Sequence, residues 1–298
     1  MEHLELKSLA KINLGLDVLG RRENGYHDVR MIMQSVYLYD RVFLKKKEEA
    51  GITLRTNLHY LPVDESNIAW KAADLLMREF ELEGGLDIEL EKHIPVAAGL
   101  AGGSSNAAAV LFGMNRMYRL GLNMEQLMER GLTLGADVPY CIMRGTVLAE
   151  GIGEKLSRLP APPACTVLLA KPPVNVSTRQ VYEELDAESE WRHPDIDGIL
   201  RGLEQHDLGQ IAGSMGNVLE QVTVRHYPVI AQIKQIMKEQ GALNALMSGS
   251  GPTVFGLFEE RGQANMARKL IREQGLARQI YVTELQRDRR DKKDGKQF

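Results

Sequence analysis

The run Pro95-Val96-Ala97-Ala98-Gly99-Leu100-Ala101-Gly102-Gly103-Ser104-Ser105 has the residue types and spacing to hold an anion. Small side chains let backbone N–H groups approach a phosphate with no Cβ in the way, and a helix start adds free N–H groups and the positive end of its dipole. The flanks supply both neighbours. Before the run, Leu86, Ile88 and Leu90 alternate with Asp87, Glu89 and Glu91, as in a half-buried strand; after it, Ala107, Val110, Leu111, Met114 and Met117 recur at helical spacing. A triphosphate suits this strand, loop and helix. Close packing of a helix on a strand also calls for small residues, so composition alone leaves both readings open.

The chain lacks G-x-x-x-x-G-K-[ST], H-R-D and D-F-G elements, which removes the support those motifs would give to P-loop or protein-kinase folds. It carries instead Ala10-Lys11-Ile12-Asn13-Leu14 near one end and Ser248-Gly249-Ser250-Gly251-Pro252-Thr253 near the other. With the glycine-rich run between them, the three segments resemble the galactokinase, homoserine, mevalonate and phosphomevalonate (GHMP) kinase superfamily. The resemblance extends to about Glu284. It implies a two-domain α+β GHMP-kinase fold with its active site in the interdomain cleft, ATP and Mg²⁺ as cofactors, and a small-molecule hydroxyl as phosphoryl acceptor. Glu23-Asn24-Gly25-Tyr26-His27-Asp28 and Gly135-Ala136-Asp137-Val138-Pro139 narrow it to the branch acting on 4-diphosphocytidyl-2-C-methyl-D-erythritol, in the non-mevalonate route to isoprenoids. A sister kinase for homoserine or mevalonate is the alternative enzyme. A catalytically silent nucleotide-binding regulator on the same fold is the alternative of another class.

The resemblance assigns catalysis to Lys11 and Asp137. A hydroxyl is a poor nucleophile at neutral pH, and a carboxylate within reach can accept its proton as the bond to phosphorus forms, typically worth ~10²- to 10⁴-fold. A lysine nearby keeps that carboxylate ionised and offsets charge on the transferred group. Read in isolation, Asp137 is equally a helix-terminal or turn residue, and Lys11 a solvated residue at a strand edge. Ser104 and Ser105 either cap the helix or help hold phosphate and Mg²⁺, two roles that use the same helix end. No dedicated carboxylate ligand for a metal is evident. Asn13 is expected on the acceptor side or against Asp137.

Specificity requires other residues, because the loop is common to the superfamily. The resemblance puts Tyr26 and His27 against the cytosine and an aromatic of the second domain, here Tyr182, on its other face. Locally, Tyr26 also fits an exposed turn and Tyr182 the apolar face of a short helix with Leu185. Ala101 stands where many superfamily loops have glycine, so a positive φ there would strain the loop by about 1 kcal/mol.

Elements to position these groups are legible. Strands are predicted over Ile12–Val18, Val29–Val36, Arg41–Lys46, Ile52–Thr56 and Thr146–Glu150, with a turn at Asn24-Gly25 and helices over Asn67–Phe80 and Met124–Leu134. The Pro-rich Leu159–Pro163 marks the best boundary, giving domains 1–157 and 158–298. Beyond it, predicted strands Thr166–Ala170, Leu246–Phe258 and Gln279–Glu284 alternate with helices Ser177–Leu185, Ile196–Glu204, Pro228–Glu239 and Arg261–Gln274, an α+β pattern.

With 298 residues, 44% of them hydrophobic, the chain can bury a sizeable core. A net charge of −3 argues against a nucleic-acid partner, and the mixed-charge stretch Arg287–Lys296 reads as a solvated tail. Cys141 and Cys165 lack ligand or C-x-x-C spacing and are expected to be buried, reduced thiols, which with the absence of a signal peptide or membrane helix predicts a cytoplasmic protein; a monomer or weak homodimer is expected, though no residue pattern sets the oligomeric state.

Overall fold

Two long antiparallel strands, β1 (His3–Arg21) and β2 (His27–Lys47), form the spine of the molecule in a computed structural model that describes residues 2–188 and 191–287. The intervening turn uses Asn24 and Gly25, the latter at φ +85°, as the dipeptide predicted. The second arm was expected as two strands and is one. Its break is a bulge: Leu9 pairs with Tyr39 but Ala10 with Val36, so Tyr37 and Leu38 are extra residues within a continuous ladder.

β3 (Gly51–Thr56) runs parallel to β4 (Gly85–Glu91), and the crossover contains α1 (Ile68–Glu79), whose N-cap Asn67 accepts the Ala69 N–H. Then follow α2 (Gly102–Tyr118), α3 (Met124–Leu134, opened by an Asn123/Gln126 capping box), α4 (Val138–Met143), β5 (Thr146–Gly151) and β6 (Lys155–Arg158). β4 and β5 pair with different halves of β2, which needs its full length to carry both. The helices α1 and α2 pack together, and α2 lies against β1 and β2 with Ala107, Ala108, Val110, Leu111 and Met114 buried.

The chain leaves this sheet at Arg158 and enters a second, four-stranded sheet at β7 (Thr166–Lys171). Next come α5 (Thr178–Asp186), α6 (Ile196–Glu204), α7 (Leu208–Ser214), β8 (Gly216–Asn217), α8 (Glu220–His226), α9 (Val229–Glu239), β9 (Asn244–Met247), β10 (Val254–Phe258), α10 (Arg261–Glu273) and β11 (Gln279–Glu284). Among the described residues the second sheet has the order β11-β7-β10-β9. The span Leu246–Phe258, expected as one strand, is two strands folded back on each other by the Ser248–Thr253 turn, with Gly249 at φ +58° and Gly251 at φ +95°.

The lobes share structure. β8 adds parallel to β1, with Gly15 opposite Gly216 and Leu16 opposite Asn217, and Leu285 bridges to Val36. A buried cluster joins Ile12, Leu14 and Ile32 of the first sheet to Ile196, Ile199, Leu169 and Phe255 of the second lobe. Cys141 and Cys165 are buried and free, as expected. No described helix is long and apolar enough to cross a membrane. The stretch Arg287–Lys296 lies outside the described residues beyond Arg287.

Candidate active site

The glycine-rich loop is held at its root by a buried charge network that sequence reasoning missed. Asp40 accepts hydrogen bonds from the backbone N–H groups of His93 (2.7 Å) and Ile94 (2.8 Å), from Asn106 Nδ2 (2.9 Å) and from Lys92 Nζ. Lys92 Nζ also donates to Asn106 Oδ1 at 2.6 Å. Burial holds the Lys92 amine below its ordinary pKa while Asp40 opposes that shift. The available signal was slight, since Asp40 is one of several polar residues in β2 and differs from the other charged ones in being fully buried. The pair fixes both the end of β4 and the start of α2, and removing one partner would leave an uncompensated buried charge.

Within the loop Ala97 (φ +50°), Gly99 (φ +72°) and Ala101 (φ +55°) are all left-handed. Ala101 therefore carries the conformational cost anticipated for a side chain at this point. Gly99 is required: a Cβ there would lie 2.2 Å from the Ser248 carbonyl oxygen. α2 begins at Gly102 with Ala101 as N-cap and no side-chain cap. Ser104 and Ser105 lie inside its first turn and do not cap it, so the first N–H groups keep no partner within the helix and point into the loop. The Ser105 hydroxyl is buried with no oxygen or nitrogen partner.

Three sequence-distant segments meet at this loop. The Lys11 N–H donates to the Leu100 carbonyl at 3.1 Å, and Ser248 Oγ donates to the Gly99 carbonyl at 3.0 Å. Asn217 of β8 donates to the Met247 and Gly249 carbonyls at 2.8 and 2.7 Å, and a Cβ on Gly249 would sit 3.6 Å from Lys11 Nζ. Lys11 is 5% exposed, and its ammonium donates to Asn13 Oδ1 at 2.7 Å. Asn13 thus holds Lys11; its amide nitrogen faces Met31 Sδ at 3.6 Å.

Asp137 occupies the N-cap position of α4, but its carboxylate makes no capping hydrogen bond. Its charge is felt by its surroundings. It reinforces the upward shift that burial imposes on the Tyr182 phenol, pushed up to about 12, and on the Cys141 thiol, while Lys11 acts on that thiol in the opposite sense. Lys11 and Asp137 therefore flank one neighbourhood, although they form no direct ion pair among the described residues.

At the rim, Tyr26 is 58% exposed and sits in a turn where its N–H donates to Asn24 Oδ1 at 3.1 Å. The aromatic contact present is between His27 and Tyr182, with centroids 4.6 Å apart and planes tilted by 35°. His27 Nε2 lies 2.8 Å from Asp186 Oδ1, and Arg21 Nη1 lies 3.4 Å from Asp186 Oδ2. Among the described residues no group of three or more His, Cys, Asp or Glu side chains is arranged to hold a metal.

Residues 67–145 match the GHMP kinases N terminal domain and residues 199–276 the GHMP kinases C terminal domain. A 4-diphosphocytidyl-2-C-methyl-D-erythritol kinase of Lachnospira eligens is 57% identical over 284 residues, 95% of this chain and 99% of that one. A solved 4-(cytidine 5'-diphospho)-2C-methyl-D-erythritol kinase superposes with a TM-score of 0.80 at 32% identity, covering 95% of this chain and 99% of that one. Homoserine kinase of Cytophaga hutchinsonii, 20% identical with a TM-score of 0.78 over 97% of this chain and 96% of its own, shares the fold. With both domains matched and a relative 57% identical over 95% of its length, the chain belongs to the GHMP kinase family.

Proposed function

We propose that the chain transfers the γ-phosphate of ATP to the 2-hydroxyl of 4-diphosphocytidyl-2-C-methyl-D-erythritol, releasing ADP, as a step of isoprenoid precursor synthesis by the non-mevalonate route. The observation that carries the chemistry is the meeting of buried Lys11 with the Gly99–Ser105 loop, beside a carboxylate, Asp137, that caps nothing. The triphosphate lies along Pro95–Ser105, on the open end of α2. Asp137 accepts the proton of the acceptor hydroxyl as its oxygen bonds to phosphorus and the bond to ADP breaks; the transition state is loose, so an ordinary carboxylate suffices. Lys11, oriented by Asn13, neutralises charge on the moving phosphoryl group.

Mg²⁺ fits this donor set: with a buried Ser105 hydroxyl that has no oxygen or nitrogen partner, and no carboxylate cluster among the described residues, it would be held by Ser104 or Ser105, phosphate oxygens and water, offsetting phosphate charge. His27 and Tyr182, with Tyr26 beside them, receive the cytosine. The working unit is a cytoplasmic monomer or weak homodimer whose lobes divide near residue 157.

The direct test is ADP formation by the purified protein with Mg²⁺-ATP and, in parallel, the cytidyl substrate, homoserine and mevalonate. Turnover with the cytidyl substrate alone is expected. Equal or faster turnover of either small acceptor would overturn the assignment, and no turnover with any would favour a silent nucleotide-binding protein.

A further inference from the structure

Asp186 is the last residue of α5, the end of a helix where a carboxylate opposes the dipole, and no basic residue occupies that last turn. Its position is explained by what it touches. It follows Tyr182 by four residues, so the ring and the carboxylate share one helix face, and both meet the same side chain: Tyr182 covers the face of His27 and Asp186 takes its edge at Nε2. Asp186's other oxygen faces Arg21, the cross-strand neighbour of His27 where β1 and β2 meet the turn. The side chains of His27 and Asp186 are 11% and 21% exposed, so the contact is largely sheltered from water. One carboxylate of the second lobe therefore grips both arms of the first lobe's hairpin.

We propose that Asp186 is a specificity-determining positioning residue, fixing the His27 tautomer that reads the base of the acceptor. An ionised carboxylate only accepts hydrogen bonds, so the nitrogen facing it must carry the hydrogen; in a neutral imidazole Nδ1 is then the acceptor. With Nε2 held by Asp186 and one face by Tyr182, Nδ1 is the polar atom left for a ligand. It complements the exocyclic amine of a cytosine. The carbonyl that uracil carries in the same place would bring two acceptors together and leave both unpaired. This inference rests on the proposed cytidyl acceptor, and it distinguishes a cytosine from a uracil diphosphate by a residue outside the phosphate-binding motifs.

The test begins without substrate. Long-range ¹H–¹⁵N correlation of protein labelled at histidine, with His27 assigned by its loss in His27→Gln, is expected to show hydrogen on Nε2 and a bare Nδ1 at neutral pH. Hydrogen on Nδ1 in the wild type overturns the proposal, whatever any variant does. Asp186→Ala is then expected to raise KM for the cytidyl substrate about 10-fold, with kcat and the KM for ATP within about twofold. The preference over the uridine diphosphate counterpart should fall by about as much. Asp186→Asn, which keeps an acceptor oxygen, should recover most of both. An unchanged preference in Asp186→Ala also overturns it. A wild type that shows the Nε2–H tautomer but turns over no cytidyl substrate would instead overturn the assigned function.

Discussion

Around the glycine-rich loop Lys11, Asn13, Ser105 and Asn106 are all buried, and the loop is tied to β1, β2 and the Ser248 turn by separate hydrogen bonds. At the opposite rim Tyr26 is exposed, and the lobes meet through the His27, Tyr182 and Asp186 contacts. The loop region is anchored from several elements at once: Lys11 holds the Leu100 carbonyl, Ser248 the Gly99 carbonyl, and Asp40 the root. The rim is set by a few side chains, of which Tyr182 also packs against the core and Tyr26 does not.

The contrast can be broken most severely at Asp137. Asp137→Asn keeps the shape but cannot accept the proton, and kcat is expected to fall roughly 10²-fold or more with little change in KM. Steady-state kinetics decides this, and near-normal kcat would return Asp137 to a turn residue. Gly99→Ala attacks the dense region itself. Its methyl would press on the Ser248 carbonyl at a backbone angle that already disfavours a side chain, so stability should drop by about 2 kcal/mol or more, together with ATP affinity, in denaturant titration and calorimetry.

At the rim the expectation is the reverse: lost ligand affinity with the fold intact. Tyr182→Ala should weaken cytidyl-substrate binding by about 1–3 kcal/mol, with Tyr182→Phe costing far less and affinity for a non-hydrolysable ATP analogue unchanged. A fall in melting temperature with intact substrate affinity would make Tyr182 a packing residue. The smallest effect is expected at Ala101→Gly, which relieves a left-handed alanine and loses little else, for a gain of about 0.5 kcal/mol in thermal unfolding.

Legibility in the sequence follows the same division. The loop and the helices α1, α2, α3, α9 and α10 were readable because each presents either a dense run of small residues or two or more turns of apolar periodicity, whereas Lys11 was singled out only by the family resemblance. The helices α4, α7 and α8 and the two-residue β8 span too few residues for a period to register. The Ser248–Thr253 turn was recognised as a motif, yet the apolar residues on both sides read as one strand because each flank is itself a buried strand. Asp40 and Lys92 could not be paired by inspection, since their partnership depends on a sheet register 52 residues apart. Likewise Asp186 reads as an ordinary polar helix end until the hairpin is laid against it.

Gly216 and Asn217 are part of the first sheet although the chain has by then passed into the second lobe, and the end of β11 returns to β2, where the Gln286 N–H donates to the Ser35 carbonyl and Gln34 Nε2 to the Gln286 carbonyl, both at 2.8 Å. The Pro-rich connector is therefore a seam in the covalent chain and not in the folded body. A gene divided there encodes a first fragment whose sheet lacks β8 and a second whose sheet is whole but whose Gln286 has lost its partners on β2, and the two should work only as a complementing pair, nucleotide binding returning when β1 is again flanked by β2 on one side and β8 on the other.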